Sequence, residues 1–317
     1  MKKRNDLAVI LSHFNWCAYR RPDQNLNRFL RQMQSLDVPV YGAEASLTGE
    51  YLTQGNPNWI HIKAKRENIC FQKEALLNIA EKLVPTKYTK IAWLDHDILF
   101  MNPNWYDELS TALDTLNLVQ VFEHCIWTDS KGVAGNKFKS ILSFTPITTD
   151  LVNDKSLGTE KLITSGYGYA APRTLWSKGG GLYPYNFIGG GDQAILHAVA
   201  SPDLTSGALK ISYLQNAPDF YPHLIWRQLF HRFVNKKTGA IKGDIYHEYH
   251  GTILGRKYVT RSIINMTHDF NVKKHIKLAE NGLLELVDPP WGYQFSIENY
   301  FMQRREDDFE DITIVIK

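Results

Sequence analysis

Residues 90–100 read Lys90-Ile91-Ala92-Trp93-Leu94-Asp95-His96-Asp97-Ile98-Leu99-Phe100, an apolar run that ends on two carboxylates one residue apart. A short apolar stretch bounded by the turn signal Asn102-Pro103 predicts a buried strand. Side chains alternate along a strand, so Asp95 and Asp97 are expected to leave its end on the same side, about 7 Å apart. Carboxylates at that separation repel unless something positive lies between them, and a hard divalent cation carrying a diphosphate meets the need. Asp-x-Asp also occurs in solvated turns and helix caps, but such turns do not require an apolar run before them and a second one at 98–101.

Outward from this strand the same grammar repeats. Residues 7–11 form an apolar run, 12–22 a polar loop, and 25–34 carry Leu26, Phe29, Leu30 and Met33 at helical spacing. Strands are expected at 38–41, 59–62, 91–94 and 118–122, and helices at 68–83 and 105–116. Alternating strands and helices imply an α/β fold with a mainly parallel sheet covered on both faces. Ligands gather at the carboxyl ends of such strands, where Asp95 and Asp97 sit together with Asn15, Arg20 and Arg21. Residues 128–140, polar and containing Gly and Lys, read as a flexible loop able to close over a substrate. Residues 291–311 read as an amphipathic helix packed across the rest.

Composition bounds the function class. The 317 residues are 44% hydrophobic and 22% charged, ordinary values for a chain with a sizeable core. A net charge of +3 permits an anionic substrate but falls short of a dedicated nucleic-acid binder. Cys17, Cys70 and Cys125 are scattered singly, which argues against a disulfide framework or zinc knuckle and for a reducing, cytoplasmic setting. The start Met1-Lys2-Lys3-Arg4 has the charge of a signal peptide, but the apolar run behind it is only five residues long and reads as a first strand. No apolar stretch is long enough for a transmembrane segment.

Three further constellations carry chemistry. In Gly189-Gly190-Gly191-Asp192 the glycines allow close approach of a ligand, and the carboxylate could take a proton from an attacking hydroxyl or simply cap the helix that follows. Ser165-Gly166-Tyr167-Gly168-Tyr169 offers aromatic faces to a sugar ring, or is a strand whose aromatics face the core. His247 and His250, three apart beside Gly251, are of the right type to complete a metal site begun by the aspartates, with Arg256 and Arg261 available to diphosphate oxygens; the alternative is that the histidines simply hydrogen-bond in a partly buried turn. The basic residues of 227–242 and 257–277 suit either a solvated face or a nucleic-acid acceptor, and Trp226, Phe230 and Phe233 either core packing or support of a flipped base.

Taken in order, six motifs resemble those of nucleotide-sugar glycosyltransferases of the GT-A fold, in particular a group from bacteria and their phages. They are Phe14-Asn15-Trp16-Cys17-Ala18-Tyr19-Arg20-Arg21, Phe71-Gln72-Lys73-Glu74-Ala75-Leu76-Leu77-Asn78, the run 92–100, Gly189 to Asp192, His247 to Gly251, and Tyr300-Phe301-Met302-Gln303-Arg304-Arg305-Glu306-Asp307. Phe71 stands where that group carries tryptophan, and Glu248-Tyr249 where its His-x-x-His spacer is more often apolar.

The resemblance implies a Rossmann-like GT-A catalytic domain over 1–265, with 266–317 packed on it as a C-terminal helical extension. It implies Mn2+ or Mg2+ held by Asp97 and His250, with His247 in reserve and Asp95 reaching the metal through water or contacting the donor ribose. Asn15, Arg20, Arg21, Glu44, Gln72, Lys73, Asp95 and Arg256 would surround a nucleotide-diphosphate sugar donor. Tyr167, Tyr169, Gly190, Gly191 and Asp192 would meet the acceptor, with Asp192 the catalytic residue, either as general base with inversion or orienting the acceptor hydroxyl with retention. The acceptor is expected to be a glycan or a hydroxymethylated base of phage DNA. A nucleotidyltransferase and a non-catalytic nucleotide-sugar-binding protein on the same fold are the alternatives.

Overall fold

The structure is a computed structural model that describes residues 4–154, 162–203, 221–257, 261 and 263–308. Its strands β1 (Leu7–Phe14), β2 (Val40–Ser46), β3 (Trp59–Lys63) and β4 (Lys90–Leu94) form where the apolar runs predict them. They lie parallel in the order β4-β1-β2-β3, with Val9 opposite both Val40 and Ala92. The two-residue period explains how helices cover both faces. Leu7, Val9 and Leu11, with Ala92 and Leu94, pack with Leu26, Phe29 and Met33 of α1 (Arg20–Ser35). Ala8 and Ile10, with Ile91 and Trp93, pack with Ala75, Leu76 and Ala80 of α2 (Lys73–Leu83). Every residue of β4 is buried, as a strand covered on both sides requires.

Downstream come β5 (Ile98–Phe100), α3 (Trp105–Ala112), β6 (Leu118–Gln120), β7 (His124–Thr128), β8 (Ala134–Ser140), α4 (Thr149–Asp154) and β9 (Ile163–Thr164). β10 (Gly168–Pro172), α5 (Thr174–Lys178), α6 (Gly191–Ala200), β11 (Thr238–Ala240), β12 (Asp244–His247), β13 (Ile276–Leu278) and β14 (Leu284–Leu286) follow. β10 enters the main sheet antiparallel between β4 and β6, and β11 closes the edge parallel to β6. The fold is therefore α/β with a mainly parallel central sheet. A second sheet, β5-β12-β7-β8-β9, stands beside the carboxyl end of β4.

Several expectations are corrected. β1 runs on to Phe14 and α1 begins at Arg20, so the loop expected at 12–22 shrinks to five residues. Residues 128–140 are not a loop: most of them form the β7–β8 hairpin, where Trp127 and Phe138 face each other across the strands with ring centroids 4.7 Å apart. An aromatic cross-strand pair stabilises a strand too polar to be read from its composition. The helix expected over 291–311 is Tyr293–Gln303, started by Gly292 in the left-handed region and preceded in space by the β13–β14 hairpin; residues 309–317 lie outside the described residues.

The C-terminal segments are held to the α/β body by specific bonds. The Gln72 amide donates to the Leu284 carbonyl (2.8 Å) and accepts from the Leu284 amide (2.8 Å), while Asn68 donates to the same carbonyl (2.9 Å). Phe301 packs on Phe71 with centroids 5.3 Å apart.

Candidate active-site cleft

β4 ends at Leu94, and Asp95, His96 and Asp97 form a turn before β5. Strand alternation therefore stops short of the acidic pair, and the two carboxylates have different partners. The Asp97 side of the turn is set by strand pairing: β5 lies antiparallel to β12 with Ile98 opposite His247, and the Asp97 carbonyl accepts from the Glu248 amide at 2.7 Å. This pairing carries His247 and His250, about 150 residues downstream, to Asp97 Oδ2 at 3.5 and 2.8 Å. The ligand-type atoms of Asp97, His247 and His250 all lie within 4.8 Å of one another.

Electrostatics suit this cluster to a cation. Burial strips charge from His247 and takes its pKa down to about 4, which leaves the neutral, ligating imidazole at neutral pH. Burial opposes ionisation of Asp97, but the two imidazoles outweigh it and hold the carboxyl well below the usual range. Asp97 Oδ1 is buried with no hydrogen-bond partner, an acceptor that a bound cation would satisfy. The residues present therefore fit a divalent metal.

On the other side of the turn, Asp95 meets Lys73, the first residue of α2, at 2.5 Å, and the same ammonium lies 3.5 Å from Asp192 Oδ1. Burial works against the charge on Lys73, but Asp192 and Asp95 raise its pKa further than burial lowers it. The glycines before Asp192 have separate reasons. Gly189 and Gly190 adopt φ of 83° and 96°, and a Cβ at Gly189 would stand 2.8 Å from the Arg261 guanidinium. At Gly191 a Cβ would stand 1.7 Å from Glu74 Oε1, so the buried Glu74 carboxyl occupies the place a side chain would need. Burial pushes the Glu74 pKa up to about 7.

The C-terminal segment closes a third side. Glu306 Oε1 lies 3.5 Å from His250 Nδ1 and accepts from Arg304 Nε at 2.6 Å. Burial would raise the Glu306 pKa, yet Arg304 and His250 bring it down to about 2. Asp307 accepts from the Arg20 and Arg21 amides at 3.0 and 2.9 Å, a cap for α1 supplied from a residue 286 positions away. The Arg261 and Arg304 guanidiniums both approach the Phe71 ring, 5.5 and 5.4 Å from its centre.

These groups line one cleft of roughly 490 Å³ at the carboxyl ends of β1 and β4. Of the residues expected there, Asn15, Lys73, Asp95, Asp97, Tyr167, Gly190, Gly191, Asp192, His247 and His250 line it. Others are placed elsewhere. Glu44 does not line the cleft: its buried carboxylate accepts from the Leu52 and Thr53 amides and the Thr53 hydroxyl, closing a local turn. Gln72 is fully buried and holds Leu284. Arg20 is exposed and pairs with Asp307, Arg21 stacks over Tyr249 at 4.9 Å, and Arg256 is buried behind the cleft. The cleft arginines are instead Arg261 and Arg304.

The two tyrosines part company. Tyr169 is buried and stacks on Trp93, whereas Tyr167, in the left-handed region at φ 80°, lies in the cleft 4.7 Å from the His247 ring and accepts from Trp127 Nε1 at 2.5 Å. The turn at Tyr167 breaks the alternation that would have put both on one face. Trp226 and Phe230 are core residues, so they are not placed to support a flipped base. His13, Glu74, His96, Trp127, Arg304 and Glu306 were not singled out by sequence reasoning. Glu74, His96, Arg304 and Glu306 do sit inside motifs quoted for the resemblance, which is the signal the sequence carries for them.

No family model matches the chain, and no curated protein matches it. Among solved structures, a mutant Drosophila beta-1,4-galactosyltransferase 7 in complex with manganese, UDP-Gal and xylobiose is 11% identical, with 62% of this chain and 61% of that one covered and a TM-score of 0.36. The 4-diphosphocytidyl-2C-methyl-D-erythritol synthase of Anaerococcus prevotii is 10% identical, with 75% and 88% covered and a TM-score of 0.35. The chain thus spans 61% of the length of the galactosyltransferase it matches. No helix among the described residues is long and apolar enough to cross a membrane.

Proposed function

We propose that this chain is a metal-dependent glycosyltransferase of the GT-A type that moves a sugar from a nucleotide-diphosphate donor to an acceptor hydroxyl. The observation that carries the reading is the meeting of His247 and His250 at one carboxylate oxygen of Asp97, whose other oxygen is buried and unpaired, beside the Lys73 and Asp192 pair in one cleft. Asp97, His247 and His250 would hold Mn2+ or Mg2+, which when bound neutralises charge on the leaving diphosphate. Lys73 and Arg261 add fixed positive charge in the same cleft.

In the step itself the bond between the sugar anomeric carbon and the donor phosphate oxygen breaks, and the electron pair leaves with the diphosphate. The acceptor oxygen bonds to that carbon and its proton passes to the Asp192 carboxylate. Glu306 orients His250 from behind, and Tyr167 and Trp127 offer ring faces to a pyranose. A saccharide acceptor is favoured over a base in duplex DNA, because Trp226 and Phe230 are buried. The bacterial or phage origin and the cytoplasmic setting belong to the same reading.

The test is a screen of nucleotide sugars for manganese-dependent thermal stabilisation, followed by product analysis with saccharides and hydroxymethylated DNA. Nucleoside diphosphate should be released, and Asp97→Asn should lose the metal-dependent stabilisation while keeping its fold. Release of pyrophosphate would assign the cleft to a nucleotidyltransferase, and an Asp97→Asn variant that still binds metal and donor like the parent would remove the metal assignment.

A further inference from the structure

His96 stands between the two aspartates in sequence and lines the cleft. Its ring is held from behind. His96 Nε2 lies 3.3 Å from Nδ1 of the buried His13, and His13 Nε2 lies 3.1 Å from Asp23 Oδ1, which also accepts from Asn15 Nδ2 at 2.9 Å. The chain of contacts has a direction. A carboxylate only accepts, so the His13 proton facing Asp23 is on Nε2, and when that is the ring's single proton Nδ1 presents a lone pair. The neutral His96 must then donate from Nε2, and its own Nδ1 is left as a lone pair. That Nδ1 is buried with no hydrogen-bond partner.

We propose that Asp23 and His13 lock His96 in the Nε2–H tautomer, so that its Nδ1 accepts a hydrogen bond from a hydroxyl of the bound nucleotide sugar. Diphosphate oxygens carry no hydrogen and would be repelled by this lone pair, so the matching groups are the ribose hydroxyls and those of the transferred sugar. His96 is on this account a specificity-determining residue, and His13 and Asp23 are positioning residues acting through it. The ligand half of the inference rests on the proposed function; the tautomer half does not.

Two arms test it. In the free protein, nitrogen-15 NMR of the histidine rings should show His96 with a bare Nδ1 and a protonated Nε2 at pH 7.5, and Asp23→Asn should disturb this pattern. A protonated Nδ1 in the parent protein overturns the proposal whatever the enzyme's function. In the second arm, calorimetry with manganese compares the best-binding nucleoside diphosphate and its 2′- and 3′-deoxy forms, then the parent nucleotide sugar and deoxygenated-sugar analogues. One deoxy compound should bind about tenfold more weakly to the parent protein, a hydrogen bond's worth, and its identity names the hydroxyl. In His96→Gln, which keeps a donor at the Nε2 position but has nothing at Nδ1, that discrimination should vanish; in His96→Asn, which keeps a polar atom at Nδ1, it should be partly retained. Equal binding of all deoxy forms by the parent protein overturns the inference and leaves the glycosyltransferase reading standing, whereas failure of every nucleoside diphosphate to bind overturns that reading and leaves the tautomer to the NMR arm.

Discussion

At the scale of single residues, the contact between Glu74 and Gly191 joins conformation to charge. The glycine is required because the carboxyl stands where a Cβ would be, and the same burial raises the Glu74 pKa from 4.5 to about 7. An acid whose pKa is raised on folding favours the protonated folded state, so its contribution is full below about pH 4.5 and is lost as pH rises through 7. Glu74→Gln should therefore gain on the parent protein by on the order of 2 kcal/mol between pH 5 and pH 8 in urea unfolding; a difference that stays flat with pH would contradict the assignment. Gly191→Ala should cost about 1–3 kcal/mol by overpacking, read in the same titration. Behind the proposed metal ligands, Glu306→Ala should weaken manganese affinity about 10–100-fold, because His250 loses the group that orients its ring. Unchanged affinity by calorimetry would make Glu306 a purely structural residue.

At the scale of elements, helix α1 has no side-chain cap from its own sequence. Asp307 supplies it from the far end of the chain, and places a negative charge at the positive end of the helix dipole. Asp307→Ala should cost about 1 kcal/mol in urea unfolding; a loss below a few tenths would mean that water replaces the cap. Arg20 and Arg21 thus serve through their backbone amides at the start of the helix that packs beneath β1 and β4, while their side chains lie against Asp307 and Tyr249. The β7–β8 hairpin similarly converts a polar segment into one wall of the cleft, because Trp127 finds Phe138 on one side and Tyr167 on another.

At the scale of the whole molecule, the central sheet buries both faces against helices, and that packing is made by hydrophobic side chains rather than by the proposed metal ligands. Chelation is accordingly expected to leave one cooperative thermal transition near its original midpoint. Manganese with a tightly bound nucleoside diphosphate should raise that midpoint, by about 2.7 kcal/mol of added stability at a hundredfold excess over the dissociation constant. Differential scanning calorimetry decides the matter: unfolding by chelator alone would show the cluster to be a structural metal site.

The sequence by itself determined the α/β architecture and the strand that leads into the acidic pair, while the six segments as a set were legible only through their resemblance to a family. The first two are local properties: apolar alternation and turn chemistry act over a few neighbours and are legible in order. Tertiary structure alone decided which polar atoms remain for chemistry. Glu44 and Gln72 look in sequence like Asp95 and Lys73, but the former pair closes a turn and holds a hairpin while the latter faces the cleft. Asp97 and Asp95, one residue apart, were separated because β4 ends before them and β12 brings histidines to only one. Asp97 meets His247 and His250, and Arg20 meets Asp307, across 150 to 287 residues of chain, and the folding that joins such segments settles which carboxylate oxygens are satisfied and which one is left open for a cation.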